Sequence, residues 1–278
     1  MPQLPDTETL DLEFESGWLR IWLDRPQTRN ALSGEMVAEL RAVLEAVQQD
    51  RSVRGITLRG RGGVFCAGGD LKSFGSMLSG SESASPEGEP DPARIEEVAR
   101  FSRGAGELFG MLDTVPQVLL VLVEGAAMAG GLGVTCTADI VAVTRDAKFA
   151  LTETTLGIAP AQIAPFVVNR IGLPAARRLM LTAARFDGTE AGRIGLADYV
   201  VDDAAGLDSL EETIRNQVLR CAPAANAVTK ELIMATRTAD REQMLDLAGR
   251  GFARCLLGPE GREGITAFLE KRKPAWAE

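Results

Sequence analysis

Two short apolar runs each end in a glycine-rich turn, and this repeated arrangement restricts the fold more than any other feature of the chain. Val53 to Leu58, with Val64-Phe65 after it, leads into Cys66-Ala67-Gly68-Gly69-Asp70, and Val118 to Val123 leads into Gly125 and then Gly130-Gly131. Short continuous apolar runs bounded by turn signals read as buried strands. Between them, Pro92 to Leu112 reads as a helix. Upstream, Leu10 to Phe14 and Trp18 to Leu23 alternate around Ser16-Gly17 as a hairpin does. Ser33 is placed to cap a helix on which Met36, Val37, Leu40, Val43, Leu44 and Val47 share one face. Ile140 to Thr144 and Phe149-Ala150 continue the alternation, which predicts an α/β sheet with crossover helices.

Beyond Pro174 the pattern reads as almost wholly helical, with breaks near Gly188, Gly195, Pro223 and Pro259. The expected layout is an α/β core over residues 1–200 and a C-terminal helical region over 201–278. Ser79 to Pro92 is rich in Ser, Gly, Glu and Pro, the composition of a surface loop. No internal repeat of solenoid length is present.

Charge and residue usage exclude several chemistries. A formal net charge of −9 argues against a general nucleic-acid binder, which needs a basic face for phosphates. The chain has no histidine, so Ser-His-Asp and Cys-His mechanisms are impossible. Proton transfer falls to Asp, Glu, Lys, Cys or the single tyrosine, Tyr199, with carboxylates the leading candidates. Cys66, Cys136, Cys221 and Cys255 form no C-x-x-C pair and read as reduced thiols rather than zinc ligands. Met1 to Asp11 is acidic and polar, unlike a secretory signal, and the apolar run Val115 to Val123 is too short for a membrane span. A cytoplasmic protein is expected.

Glycine lets a ligand approach main-chain N–H groups closely, and such groups stay unpaired where a turn opens a helix. Two such turns side by side suit a developing oxyanion; taken singly, each reads as a tight strand-to-helix connection. Neither has the spacing of a dinucleotide fingerprint. Asp70 is expected to cap the helix that follows it, and Asp139 to stabilise the turn before the Ile140 strand.

Several segments in order resemble the crotonase, or enoyl-coenzyme A hydratase/isomerase, family. They are Leu23-Asp24-Arg25-Pro26 with Arg29-Asn30-Ala31-Leu32, Phe65 to Lys72, Gly125 to Gly131, Ala138-Asp139-Ile140, Glu153 with Leu156-Gly157-Ile158, and Ala267 to Pro274. The resemblance implies an α/β fold of ββα units making two nearly perpendicular sheets, with C-terminal helices for trimerisation and trimers pairing into hexamers. It implies an acyl-coenzyme A thioester as substrate, with no further cofactor and no metal. The oxyanion hole falls on the N–H groups of Gly69 and Gly130, and the catalytic carboxylate on Glu153. Ala67 and Leu71 fall along the coenzyme A moiety, and Thr28 and Arg29 at its nucleotide end. Phe268 and Lys271 fall where the coenzyme is approached, often from a neighbouring subunit.

The family's hydratases usually use two glutamates to hold one water. The position of the first is Gly133 here, which cannot transfer a proton. The stretch Gly157 to Val167, with Gln162 a candidate polar contact to substrate, resembles the 3-methylglutaconyl- and isohexenylglutaconyl-coenzyme A hydratase branch. That resemblance implies hydration of a branched, glutaconyl-type enoyl thioester. The alternative is a double-bond isomerase with Glu153 as single proton shuttle; a third reading is a binding or assembly subunit that has lost chemistry.

Overall fold

The computed structural model describes residues 2–72, 74–75 and 91–277. The stretch expected as a surface loop therefore lies outside the described residues up to position 90.

β1 (Leu10–Glu15) and β2 (Trp18–Leu23) form the expected antiparallel hairpin. Its turn residues Ser16 and Gly17 both have positive φ, 48° and 79°, as a tight two-residue hairpin requires. β3 (Gly55–Gly60), β4 (Val118–Val123), β6 (Ile140–Thr144) and β9 (Tyr199–Val201) extend the sheet, in the order β1-β2-β3-β4-β6-β9, and every pairing after the hairpin is parallel. A smaller sheet, β5-β7-β8, is built from β5 (Ala126–Met128), β7 (Lys148–Ala150) and β8 (Phe186–Asp187).

β4 shows why its sequence is apolar throughout. Alternate residues point to opposite faces. Leu119, Val121 and Val123 enter the main core, and Leu120 and Leu122 enter a second core on the other face. The main core is covered by α1 (Gly34–Val47) and the end of α2 (Pro92–Thr114). Ser33 Oγ accepts the Met36 N–H at 3.2 Å, so the expected cap of α1 is formed. The second core is closed by Leu207, Ile214 and Val218 of α6 (Ala204–Val218). The first helix of the 201–278 segment is thus packed on the back of the large sheet.

Three expectations need correction. The helical region begins before Pro174: α4 spans Ala164–Thr182 and is broken at Gly172 (φ 75°, ψ 157°). Pro174 sits just past that break, at the start of a new helical turn, where the missing N–H has no helical partner to lose. Two strands, β8 and β9, follow α4, so the chain is not wholly helical there. Each is at most three residues long, too short to show alternation. Finally, the Gly125–Gly131 segment contains β5 as well as a turn.

After α5 (Gly188–Arg193) and α6 come α7 (Pro223–Ala235), α8 (Arg241–Leu257) and α9 (Pro259–Leu269). Buried Lys230 ties α7 to the sheet. Its Nζ donates to Asp139 Oδ2 at 2.7 Å and to the Gln117 carbonyl at 3.2 Å. Asp139 Oδ2 also accepts the Leu119 N–H at 2.7 Å, joining the starts of β4 and β6 as its expected turn role implies. Arg237 pairs with buried Asp113 at the end of the same helix.

Candidate active site

The two glycine turns are joined like strands of a sheet. Cys66 N–H donates to the Ala126 carbonyl at 3.0 Å, and Met128 N–H donates back to the Cys66 carbonyl at 2.9 Å. On its other side the first turn is held by the Arg29-Asn30 segment. Ala67 N–H donates to the Arg29 carbonyl at 2.9 Å and Leu32 N–H to the Gly68 carbonyl at 2.8 Å. Asn30 is fully buried and explains the rigidity of its segment: its amide donates to the Arg61 and Val64 carbonyls and its oxygen accepts the Arg25 N–H.

Within this frame the Gly69 and Gly130 amides have no acceptor among the described residues. They lie close together, since a Cβ placed on Gly130 would be 3.8 Å from the Gly69 nitrogen. Gly68 has φ 99° and its absent Cβ would meet Ala129 Cβ at 2.9 Å, so only glycine allows the two turns this contact. Gly130 opens the short helix α3 (Gly130–Cys136), which leaves its N–H unpaired. Ala129, just before it, has φ 47° and ψ −119°. That conformation is costly for alanine, on the order of 1–3 kcal/mol, and it sets the direction of the following N–H. Nothing in the sequence signals it, because glycine is the residue expected there.

Asp70 has the expected capping role. Its Oδ1 accepts the Lys72 N–H at 3.0 Å, and its Oδ2 lies 3.4 Å from Arg25. Cys66 and Cys136 are not nucleophiles in waiting: burial pushes both thiols up to about 12.

Glu153 starts a 3-10 turn, Glu153–Leu156, three residues after β7. β7 pairs with β5, and Ala129 N–H donates to the Ala150 carbonyl at 2.8 Å, so this strand carries Glu153 to the second glycine turn. The carboxylate is buried, 9% exposed, and Oε2 has no hydrogen-bond partner. Burial pushes its pKa above the ordinary value of 4.5, with a backbone N–H opposing in part. A buried, unpaired carboxylate oxygen with a raised pKa suits a group that must take up and return a proton.

At Gly133 the structure adds what the sequence does not reveal. A Cβ there would lie 2.2 Å from Ile163 Cγ2, 2.8 Å from Ile163 Cβ and 3.3 Å from Phe109 Cε1. The space beside Gly133 is therefore occupied by apolar side chains. Gln162, next to Ile163, faces α2. Its Nε2 donates to Ser102 Oγ at 3.1 Å, and its Oε1 lies where a Cβ on Gly106 would be, 2.2 Å away. Gly106 thus seats Gln162. Ile163, Phe109 and Gly106 could not be assigned from spacing, since each reads as an ordinary core or helix position.

The remaining site candidates divide into two groups. Thr28, Arg29, Ala67 and Leu71 adjoin the first glycine turn; Arg29 is exposed and Leu71 is 59% exposed. Phe268 and Lys271 do not join them within the described chain. Phe268, at the end of α9, is 83% exposed, and Lys271 follows in a left-handed conformation, φ 58°.

The family model for enoyl-CoA hydratase/isomerase matches residues 13–278. Among solved structures, Pseudomonas aeruginosa AtuE is 50% identical with a TM-score of 0.89, over 98% of this chain and 100% of that one. An enoyl-CoA hydratase/isomerase from Marinobacter aquaeolei is 41% identical with a TM-score of 0.88, over 97% and 99% of the two chains. The enoyl-CoA hydratase ACTT6 of Alternaria alternata is 29% identical over 266 residues, 95% of this chain and 83% of the relative. With its two sheets and C-terminal helices, this chain belongs to the enoyl-CoA hydratase/isomerase family and has the crotonase fold.

Proposed function

We propose that this enoyl-CoA hydratase adds water to a branched, glutaconyl-type enoyl-coenzyme A, of the 3-methylglutaconyl or isohexenylglutaconyl kind. The observation that carries the reading is the unpaired, buried Glu153 Oε2, three residues past β7, the strand that pairs with β5 just before the free Gly130 amide. The thioester oxygen accepts the Gly69 and Gly130 N–H groups. Glu153 takes a proton from water as its oxygen bonds to C3. The π electrons move toward the thioester, and the two amides stabilise the enolate oxygen. Glu153 then returns the proton to C2, so one water is added and nothing else is consumed.

With Ile163 filling the space beside Gly133, water is held by only one protein carboxylate. The substrate's distal carboxylate supplies the second contact, and Gln162 helps to place it. Arg29, with Thr28, meets the nucleotide end of the coenzyme, and Ala67 and Leu71 lie along its length. Phe268 and Lys271 reach the coenzyme from a neighbouring subunit of a trimer or hexamer. The exposed apolar residues of α8 and α9, among them Phe252, Leu257 and Leu269, are covered in that assembly.

The test is a panel of enoyl thioesters, followed by loss of conjugated absorbance and by product mass. Glutaconyl-type thioesters should gain one water and be strongly preferred over crotonyl-coenzyme A. Efficient hydration of crotonyl-coenzyme A, together with no penalty for methyl-esterifying the distal carboxylate, would overturn the proposal. The presence of a single carboxylate also favours a second reading, a double-bond isomerase, because one base suffices to move a proton between two carbons. A product of unchanged mass would select it.

A further inference from the structure

At the opposite end of the large sheet from the glycine turns lies a cavity of about 440 Å³. It is lined by the hairpin turn before β2, the loop entering β3, the end of α6 and Trp276. β2 and β3 run parallel from this end toward the site, and six residues of strand put the two about 20 Å apart.

Three arginines line the cavity, Arg51, Arg54 and Arg220. None has a carboxylate within ion-pair distance among the described residues, in a chain with nine more acidic than basic side chains. Arg54 is half-buried and donates only to main-chain carbonyls, those of Leu219, Cys221 and Trp276. Arg51 donates to the Gln48 carbonyl at 2.7 Å. Helix-end carbonyls offer fractional charge, roughly half an electron at a helix terminus, and Asp50 acts on Arg51 only through space, without an ion pair, so the three cations together remain under-compensated. The largest acidic influence on Arg54 is that of Glu260, whose oxygens accept the Ala224 and Ala225 N–H groups. Ser52 and Asn216 add neutral polar groups to the wall.

We propose that this cavity is an anion site, separate from the thioester site, which takes a phosphate-bearing small molecule between Arg51, Arg54 and Arg220. Arginine forks match phosphate oxygens in pairs, and a phosphate group supplies enough acceptors for more than one of them. An anion held there would join the end of α6, the entry to β3 and the segment around Trp276, and so would stabilise the chain.

The probe is inorganic pyrophosphate, added to full-length enzyme already saturated with coenzyme A so that the thioester site is closed to it. Calorimetry should give one binding event per chain and a rise in Tm beyond that from sodium chloride of equal ionic strength. Arg51→Gln with Arg220→Gln should weaken binding at least tenfold, while Arg29→Gln at the other end leaves it unchanged. Arg54 is left intact because it caps carbonyls. In the unmodified protein, pyrophosphate should protect Arg51 and Arg220 from phenylglyoxal, read by peptide mass, whether or not the double variant folds. AMP and adenosine separate the sources: binding of both phosphates but not adenosine assigns the site to the phosphate group. Equal affinity in the folded double variant, no protection of the two arginines, or an effect matched by chloride would overturn the proposal.

Discussion

Restoring the family's first glutamate by Gly133→Glu alone should damage the protein rather than improve it. The new Cβ would stand 2.2 Å from Ile163 Cγ2 and 2.8 Å from Ile163 Cβ. Ordinary carbon contacts are about 3.5–4.0 Å, so Ile163, which is 4% exposed, must retreat by roughly 1.5 Å into a filled core. Overpacking of this kind costs about 1–3 kcal/mol, and a carboxylate buried without a donor adds about 1–3 kcal/mol. Replacing a helical glycine returns about 0.5–1 kcal/mol. The expected net loss is about 1–5 kcal/mol. Ile163→Gly removes both short contacts and opens room for the new side chain. The double variant should therefore recover at least about 1.5 kcal/mol relative to the sum of the single changes. Urea unfolding of the four proteins measures the coupling. Crotonyl-coenzyme A hydration should appear in the double variant and not in Gly133→Glu. A single variant as stable as the parent, or strictly additive effects, would refute the claim that Ile163 holds the glutamate's place.

Glu153→Gln should lower turnover at least about a hundredfold, the usual scale for a proton-transferring group, as read by steady-state kinetics on the preferred thioester. The same variant should be more stable than the parent at neutral pH. The folded Glu153 binds its proton more tightly than the unfolded chain does, so the parent loses stability as pH rises from about 4.5 through the raised folded value. The difference should be absent below that window and constant above it, and an activity profile should rise on its acidic side above the ordinary glutamate range. Gly130→Ala should keep the helix and the N–H but place a methyl 3.8 Å from the Gly69 nitrogen, obstructing an oxygen shared by both amides. A loss of about 3 kcal/mol in transition-state stabilisation is expected from kcat/KM. Alanine is a better probe than proline here, because proline at 130 disfavours the ψ of −119° at Ala129. Lys230→Met should cost about 3 kcal/mol in urea unfolding, since it leaves Asp139 without its cation.

The parts of the fold readable from sequence are those where local pattern and tertiary environment agree. The hairpin, the capped α1 and β4 each carry their own signal: positive-φ turn residues, a serine cap with one apolar face, and an apolar run buried on both sides. β8 and β9 carry none, because two or three residues cannot display a period of two. They form because β7 and β6 present edges to them. The kink of α4 is a further case, since a glycine and a proline two residues apart inside an apolar stretch read as an end rather than a resumption.

The candidate site is legible in the sequence for the same reason. Glycines at turns are visible because no other residue takes φ 99° beside a neighbouring main chain, and Glu153 is visible through its flanking motif. What the sequence hid is the steric partner of an absence. Gly133 reads as a lost carboxylate, yet the contact with Ile163 makes it a glycine required by its neighbour. Gly133 and the branched side chain thirty residues later, at 163, share one place in the core. The consequence bears on mechanism. Beside Gly133 the wall is hydrocarbon, which raises the proton affinity of a nearby carboxylate and offers water no partner. The proposed hydratase obtains its second polar contact from the substrate, and the alternative isomerase moves a proton without water. The two proposed reactions are these two outcomes, and the mass of the product separates them.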